Sequence, residues 1–187
     1  MPKNNILKIQ DYTLKSDDVF LFDNNVWMYL FCPLANFQRE KRQKVYSSLF
    51  NNVLSRNRPI FINSLILSEF CNRYLRLDYD LANKNDGQSA TKAFPSYKKD
   101  YVGSKRYLQT VSDLKIAMTK ITKVCAKASD DFNSINLEEV LTLFQKIGFN
   151  DSYYVYFAKK KNWIIVSDDS DFTNSNVPEV GLKILTY

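Results

Sequence analysis

Short apolar bursts at Val19 to Phe22, Ile60 to Ile62, Trp163 to Val166 and Leu182 to Leu185 are separated by longer segments, most of them with helical spacing. This alternation restricts the fold more than any other feature of the chain. Three or four residues in a row, apolar throughout except for Lys183 in the last, suit strands buried on both faces. Strands interleaved with helices pair through crossovers, and no Asn-Gly turn offers a hairpin instead. The order predicts an α/β fold with a mostly parallel central sheet covered by helices on both faces. A chain of 187 residues, 45% of them hydrophobic, is sufficient for one core, so a single domain spanning 1–187 is expected.

Helices are expected over Asn24 to Leu34, about Arg39 to Arg56, Ser64 to about Leu77, Ser104 to about Ala128, from Asn136 to Gly148, and Asp151 to Lys161. Asn136 and Glu139 have the spacing of a capping box. From Asp78 to Gly103, small and polar residues break every period, which predicts an insertion or mobile loop. Tyr97, Lys98, Lys99 and Tyr101 interleave aromatic rings with positive charge inside it.

The chain has no histidine. That excludes a Ser-His-Asp triad, a Cys-His pair, an HExxH zinc site and any imidazole base. Cys32, Cys71 and Cys125 form no CxxC, so they suit small buried residues in a reducing compartment. No apolar run is long enough to be a signal peptide or to span a bilayer, and a cytoplasmic protein without membrane contact is expected. A net charge of +6 favours polyanionic partners.

In open parallel sheets ligands bind beyond the carboxyl ends of strands. Acidic residues are what this sequence places there. Asp23 follows the first burst, and Asp168, Asp169 and Asp171 follow Trp163 to Val166. Glu69 lies early in the helix after Ile60 to Ile62, and Asp151 opens the helix leading into the third burst. Carboxylates gathered at one edge repel unless a cation sits between them. Oxygen ligands without His or Cys favour Mg²⁺ or Mn²⁺ over zinc. Each acid also has a plain structural role: Asp23 and Asp151 as helix caps, Glu69 as a solvated helix residue, Ser167 to Asp171 as a polar turn.

Val19-Phe-Leu-Phe-Asp23-Asn-Asn25, Ile60-Phe-Ile-Asn-Ser64-Leu-Ile-Leu-Ser-Glu69-Phe70, Phe149-Asn-Asp151-Ser-Tyr-Tyr and Trp163-Ile-Ile-Val-Ser167-Asp-Asp169-Ser-Asp171-Phe172 occur in this order. The series resembles the motifs of PIN-domain ribonucleases, VapC-like toxins among them. The resemblance implies a PIN-like three-layer α/β/α sandwich. It implies Asp23, Glu69, Asp151 and Asp169 as the catalytic and metal-binding acids, with Asn25 and Ser167 as polar supports and Asp171 as a secondary acid. Asp169 is preferred to Asp168 because the family pattern runs hydrophobic, Ser or Thr, any residue, Asp, any residue, Asp, Phe. Asn24 stands where Thr or Ser is common in the family.

The implied activity is metal-dependent endoribonucleolytic cleavage of single-stranded or structured RNA. The metal would activate a water for in-line attack on the phosphodiester, leaving a 5′ phosphate and a free 3′ hydroxyl. Candidate RNA contacts are Arg39, Lys41, Arg42 and Lys44 on one helix, and Lys98, Lys99, Lys105 and Arg106 near the loop, with Tyr97 and Tyr101 available for base stacking. The plain alternative for the basic groups is a solvated helix face. Compact family members often act as toxins paired with a small antitoxin, and many are homodimers. Two other readings remain open. A haloacid-dehalogenase-like phosphatase would use Asp23, Ser64 and the Asp168-Asp169 pair, but Asn25 stands where its second Asp belongs and Glu69 receives no task. A non-catalytic PIN-like module would bind RNA or a protein partner.

Overall fold

The computed structural model describes residues 5–34, 40–84, 92–173 and 181–187. Its centre is a six-stranded sheet of β1 (Asn5–Lys8), β2 (Phe20–Phe22), β3 (Ile60–Ile62), β4 (Ala126–Lys127), β5 (Ile164–Val166) and β6 (Lys183–Thr186), in the order β1-β6-β5-β2-β3-β4. Every pairing is parallel. The central strands read as continuous apolar runs because both faces are covered: Phe20, Leu21 and Phe22 of β2 and Ile164, Ile165 and Val166 of β5 are all buried.

The helices are α1 (Asn24–Phe31), α2 (Glu40–Ser55), α3 (Ser64–Ala82), α4 (Lys105–Val124), α5 (Leu137–Phe144), α6 (Phe149–Lys161) and the short α7 (Ser170–Thr173). Local chemistry starts several of them. The side chains of Asp23, Asn63, Ser104 and Asn136 each accept a hydrogen bond from a first-turn backbone N–H. Among the described residues no helix is long and apolar enough to cross a membrane.

The sheet carries the arrangement expected from the bursts, with several departures among the helices and edges; the helix expected to reach Leu34 ends at Phe31. β1 adds an edge strand that the sequence pattern does not announce. Its residues are mostly exposed, so it has no apolar run, and it exists through pairing with β6. The helix expected to reach Ala128 ends at Val124, because Ala126–Lys127 pairs with β3 as the other edge. The helix expected to reach Gly148 ends at Phe144, and the next begins at Phe149.

Of the stretch expected as an insertion or mobile loop, residues 85–91 lie outside the described residues, and the flanking parts carry regular structure. Asp78 to Ala82 extend α3, and Tyr97–Tyr101 form a π-helical turn. Asp78 holds that turn in place. Its carboxylate, only 6% exposed, accepts from Tyr101 Oη at 2.9 Å, from Thr110 Oγ1 at 3.0 Å and from both ends of the Arg106 guanidinium at 2.9 and 2.7 Å. Tyr101 is fully buried in a ring cluster with Tyr79, Phe94, Tyr97 and Tyr107. Arg106, expected as an RNA contact, is a bidentate partner of this carboxylate while its side chain stays 45% exposed.

Strand order reverses at the β2–β5 pair. The chain runs from β2 outward through β3 to β4, then returns to place β5 on the other side of β2 and β6 beyond it. A crevice at the carboxyl ends of two such strands is where α/β sheets seat ligands.

Candidate acidic active site

Asp23 leaves β2 directly into this crevice. It is 5% exposed and caps α1, with Oδ1 accepting the Asn24 N–H at 2.6 Å. Oδ2 accepts from Ser167 Oγ and from Asn25 Nδ2, both at 2.7 Å. Ser167, fully buried at the end of β5, therefore ties the two central strands together. Its Oγ also accepts the Asp169 N–H at 3.0 Å, and Asp169 Oδ1 accepts the Asp171 N–H at 2.9 Å. The expected supports Asn25 and Ser167 both lie in this one network. The capping role of Asp23 is real and coexists with its place in the crevice.

Glu69 faces the same crevice from α3. Its carboxylate accepts from Asn24 Nδ2 at 3.2 Å, Asn150 Nδ2 at 3.0 Å and Tyr154 Oη at 2.9 Å. The solvated-helix role for Glu69 is thus replaced by a partly buried, triply bonded one. Asn150 and Tyr154 were not among the sequence candidates. Their spacing of four on α6 puts both side chains on one helix face, which is the signal that could have found them.

Asp151 is not the helix cap it resembles. Gly148 occupies the N-cap of α6 and Asp151 lies within its first turn. The Asp151 carboxylate leans back over Gly148, so that a Cβ added there would stand 3.0 Å from Oδ2. Gly148→Ala is expected to push this carboxylate aside by a few tenths of an ångström while changing stability by less than about 1 kcal/mol. A several-fold loss of metal-dependent activity with an unchanged urea midpoint is the outcome to look for. Full activity in that variant would show that the placement of Asp151 is uncritical.

These acids feel one another. Burial pushes the Asp23 carboxyl up to about 7, with Glu69 and Asp169 adding to the rise while the hydrogen bonds from Ser167 and the Asn24 N–H oppose it. Asp151 is also pushed up to about 7, first by burial and then by Asp23, Glu69, Asp169 and Asp171. Burial and Glu69 raise the Tyr154 hydroxyl far above its usual range, so it stays a donor.

Among the described residues no group of three or more carboxylates or thiols is arranged to hold a metal ion as the side chains stand. The donor set nonetheless fits a hard dication. It offers only oxygen, burial and then the neighbouring acids push the Asp23 and Asp151 carboxyls up, a strain that a cation would relieve, and the buried Asn24 Oδ1 is an acceptor without a partner among the described residues.

Asp168 is held by a different set of partners. Its side chain is 4% exposed and accepts from Tyr29 Oη at 2.7 Å, Tyr46 Oη at 3.2 Å and the Arg42 guanidinium. Arg42, expected as an RNA contact, also lies over the Tyr187 ring and is the partner of this buried carboxylate, with its side chain 38% exposed. Lys44 pairs with Glu40 on the exposed face of α2, while Lys41, Lys98, Lys99 and Lys105 are exposed. Arg39 lies outside the described residues. A cavity of about 600 Å³ opens beside the acids, lined by Asn25, Asp168, Asp169 and Ser170 together with Lys8, Arg42 and Arg73.

No family model and no curated protein matches this chain. Among solved structures it is similar to VapBC2 from Rickettsia felis bound to a DNA fragment from their promoter, with a TM-score of 0.51 and 19% identity over 90% of this chain and 98% of that one. The shared property is the fold. A parallel sheet between helical layers is the PIN-like fold class expected from the sequence.

Proposed function

We propose that this protein is a metal-dependent endoribonuclease. The observation that carries the proposal is the convergence of Asp23, Glu69, Asp151 and Asp169, from four separate segments, into one electrostatically coupled group at the strand-order reversal. Asp23, Asp151 and Asp169, with Glu69 directly or through water, would hold Mg²⁺ or Mn²⁺. When bound, the ion supplies a Lewis acid and lowers the pKa of a coordinated water.

The chain's own groups prepare that centre. Ser167 and Asn25 fix the Asp23 carboxylate, and Asn24, Asn150 and Tyr154 fix Glu69, so neither has to be ordered when substrate arrives. Asp169, half-buried at the cavity, would orient the attacking water and take its proton. Hydrolysis in this sense leaves a 5′ phosphate and a 3′ hydroxyl. Ser64, which the phosphatase alternative would use, donates its hydroxyl to Asp130 at 3.0 Å.

The likeness to VapBC2 supports a second part of the proposal, in which the chain acts in the cytoplasm as the toxin of a toxin–antitoxin pair with a small protein partner. The test of the nuclease reading is incubation with total RNA in Mg²⁺, Mn²⁺ or EDTA, followed by mapping of the cut ends. Cleavage confined to the metal-containing samples, with 5′ phosphates, is expected. Intact RNA in all three would refute it.

A further inference from the structure

We propose that Arg73 is the cation that receives the backbone phosphate beside the acidic centre, at the junction of a groove running along α3. This deepens the ribonuclease reading and rests on it. Arg73 lies one helical turn beyond Glu69, so the two share a face of α3. It lines the cavity of about 600 Å³ that holds Asp169. It also lines a second cavity of about 390 Å³, beside Met28, Tyr29 and Arg76. Both volumes lie within the roughly 300–1,000 Å³ of ligand clefts. Asn25 and Arg73 alone are common to the two linings, and the Asn25 amide donates to Asp23. The two cavities therefore meet at a point tied directly to the acidic centre.

The other arginines along this path are engaged. Arg42 is paired with Asp168, and the Arg76 guanidinium lies 3.9 Å from the centroid of the Tyr97 ring. Arg73 makes no ion pair, hydrogen bond or ring contact with the described residues, and it is exposed. A centre built from carboxylates repels a phosphodiester at close range, so a strand needs a cation at the mouth. A guanidinium presents a planar fork that matches two phosphate oxygens at once. Beyond it, the Arg76–Tyr97 pair forms a flat surface where an unpaired base can stack, which selects single strands over duplex.

The test uses the full chain and a labelled single-stranded oligoribonucleotide in EDTA, with binding followed by fluorescence anisotropy over a range of salt. Arg73→Ala, Arg73→Lys and Lys115→Ala, an exposed position on α4, are compared with wild type. Loss of one phosphate contact lowers the slope of log affinity against log salt by about 0.7 for a single strand. Arg73→Ala is expected to show that drop together with about tenfold weaker binding at low salt. Arg73→Lys keeps the slope and recovers only part of the affinity, and Lys115→Ala matches wild type. In Mg²⁺, the cleavage defect of Arg73→Ala is expected mainly in KM. An unchanged slope and low-salt affinity in Arg73→Ala overturns the proposal whether or not wild type cleaves. A slope drop in a protein that cuts no RNA leaves the phosphate site standing and removes the ribonuclease reading alone.

Discussion

Asp23→Asn is expected to lower metal-dependent RNA cleavage by more than about 100-fold, since loss of groups that only support a metal's ligands already costs about 10- to 100-fold. The fold is expected to survive, for reasons that can be followed through pH. The carboxyl moves from its ordinary 3.8 to about 7 in the folded protein. A raised carboxyl holds its proton more tightly when folded, so between those values the folded state binds more protons and stability falls as pH rises. Below about 4 the group costs nothing, and above about 7 the full cost remains. At about 1.4 kcal/mol per pH unit, that cost reaches on the order of 4 kcal/mol.

Asparagine removes this cost and introduces another. All three groups bonded to the Asp23 oxygens are donors, so one NH of the amide must face a donor, at about 1–3 kcal/mol. In EDTA, wild type is therefore expected to be more stable than Asp23→Asn near pH 4 and to lose that advantage by about pH 7. Mg²⁺ is expected to raise the wild-type melting temperature more at pH 8 than at pH 5, because the ion replaces protons that are already leaving at the higher pH. Thermal melts of both proteins across this range check the signs. A stability difference that does not change with pH would remove Asp23 from the coupled group, and full cleavage by the variant would sink the site assignment.

Exchanging the roles of two adjacent aspartates is the other large expected effect. Asp168→Ala leaves the Arg42 guanidinium and the Tyr29 and Tyr46 hydroxyls without their shared acceptor. Breaking a buried pair costs about 3–5 kcal/mol. Arg42 is 38% exposed and can reach water, which places the expected loss near the lower end, about 3 kcal/mol. Adding Arg42→Ala to that variant is expected to recover part of the loss, because the stranded charge is gone. Asp169→Ala behaves oppositely. Its carboxylate is half-buried and accepts the Asp171 N–H, so about 1 kcal/mol of stability is lost together with nearly all cleavage. Urea midpoints and cleavage rates of the two single variants check this crossover. If Asp168→Ala were stable and inactive, the two assignments would have to be interchanged.

Much of the site was legible because it is built from short-range signals. Asp23 and Ser167 stand where apolar strands end, and strand ends are read from a few consecutive residues. Glu69 follows Asn63, whose side chain caps α3 by accepting the Ile66 N–H at 3.0 Å, so its position early in a helix after a strand is also local. What escaped was pairing over long distances. Arg42 meets Asp168 across 126 positions and Asn150 meets Glu69 across 81, and no periodicity encodes such partners. That Arg42 and Arg106 each pair with a buried aspartate was not legible, because a basic residue on a helix carries no mark of the carboxylate opposite it. The edge strands β1 and β4 were hidden for the same reason, since short exposed strands draw their definition from the neighbour they pair with.

The sequence by itself determined the layered α/β arrangement, through apolar runs too short for helices and too continuous for half-exposed strands. It also determined that any metal chemistry must use oxygen ligands, because no histidine is present and the cysteines are scattered. Tertiary structure alone decided which carboxylates share a field and which are consumed by cations. Asp168 is bound by Arg42, Tyr29 and Tyr46 while Asp169 is tied to the Ser167 hydroxyl, so the two differ in fate though they are neighbours in sequence. Tertiary structure also left Arg73, one turn from Glu69, at the mouth of the acidic crevice, because burial and charge depend on everything within a few ångströms, and folding draws those neighbours from all parts of the chain.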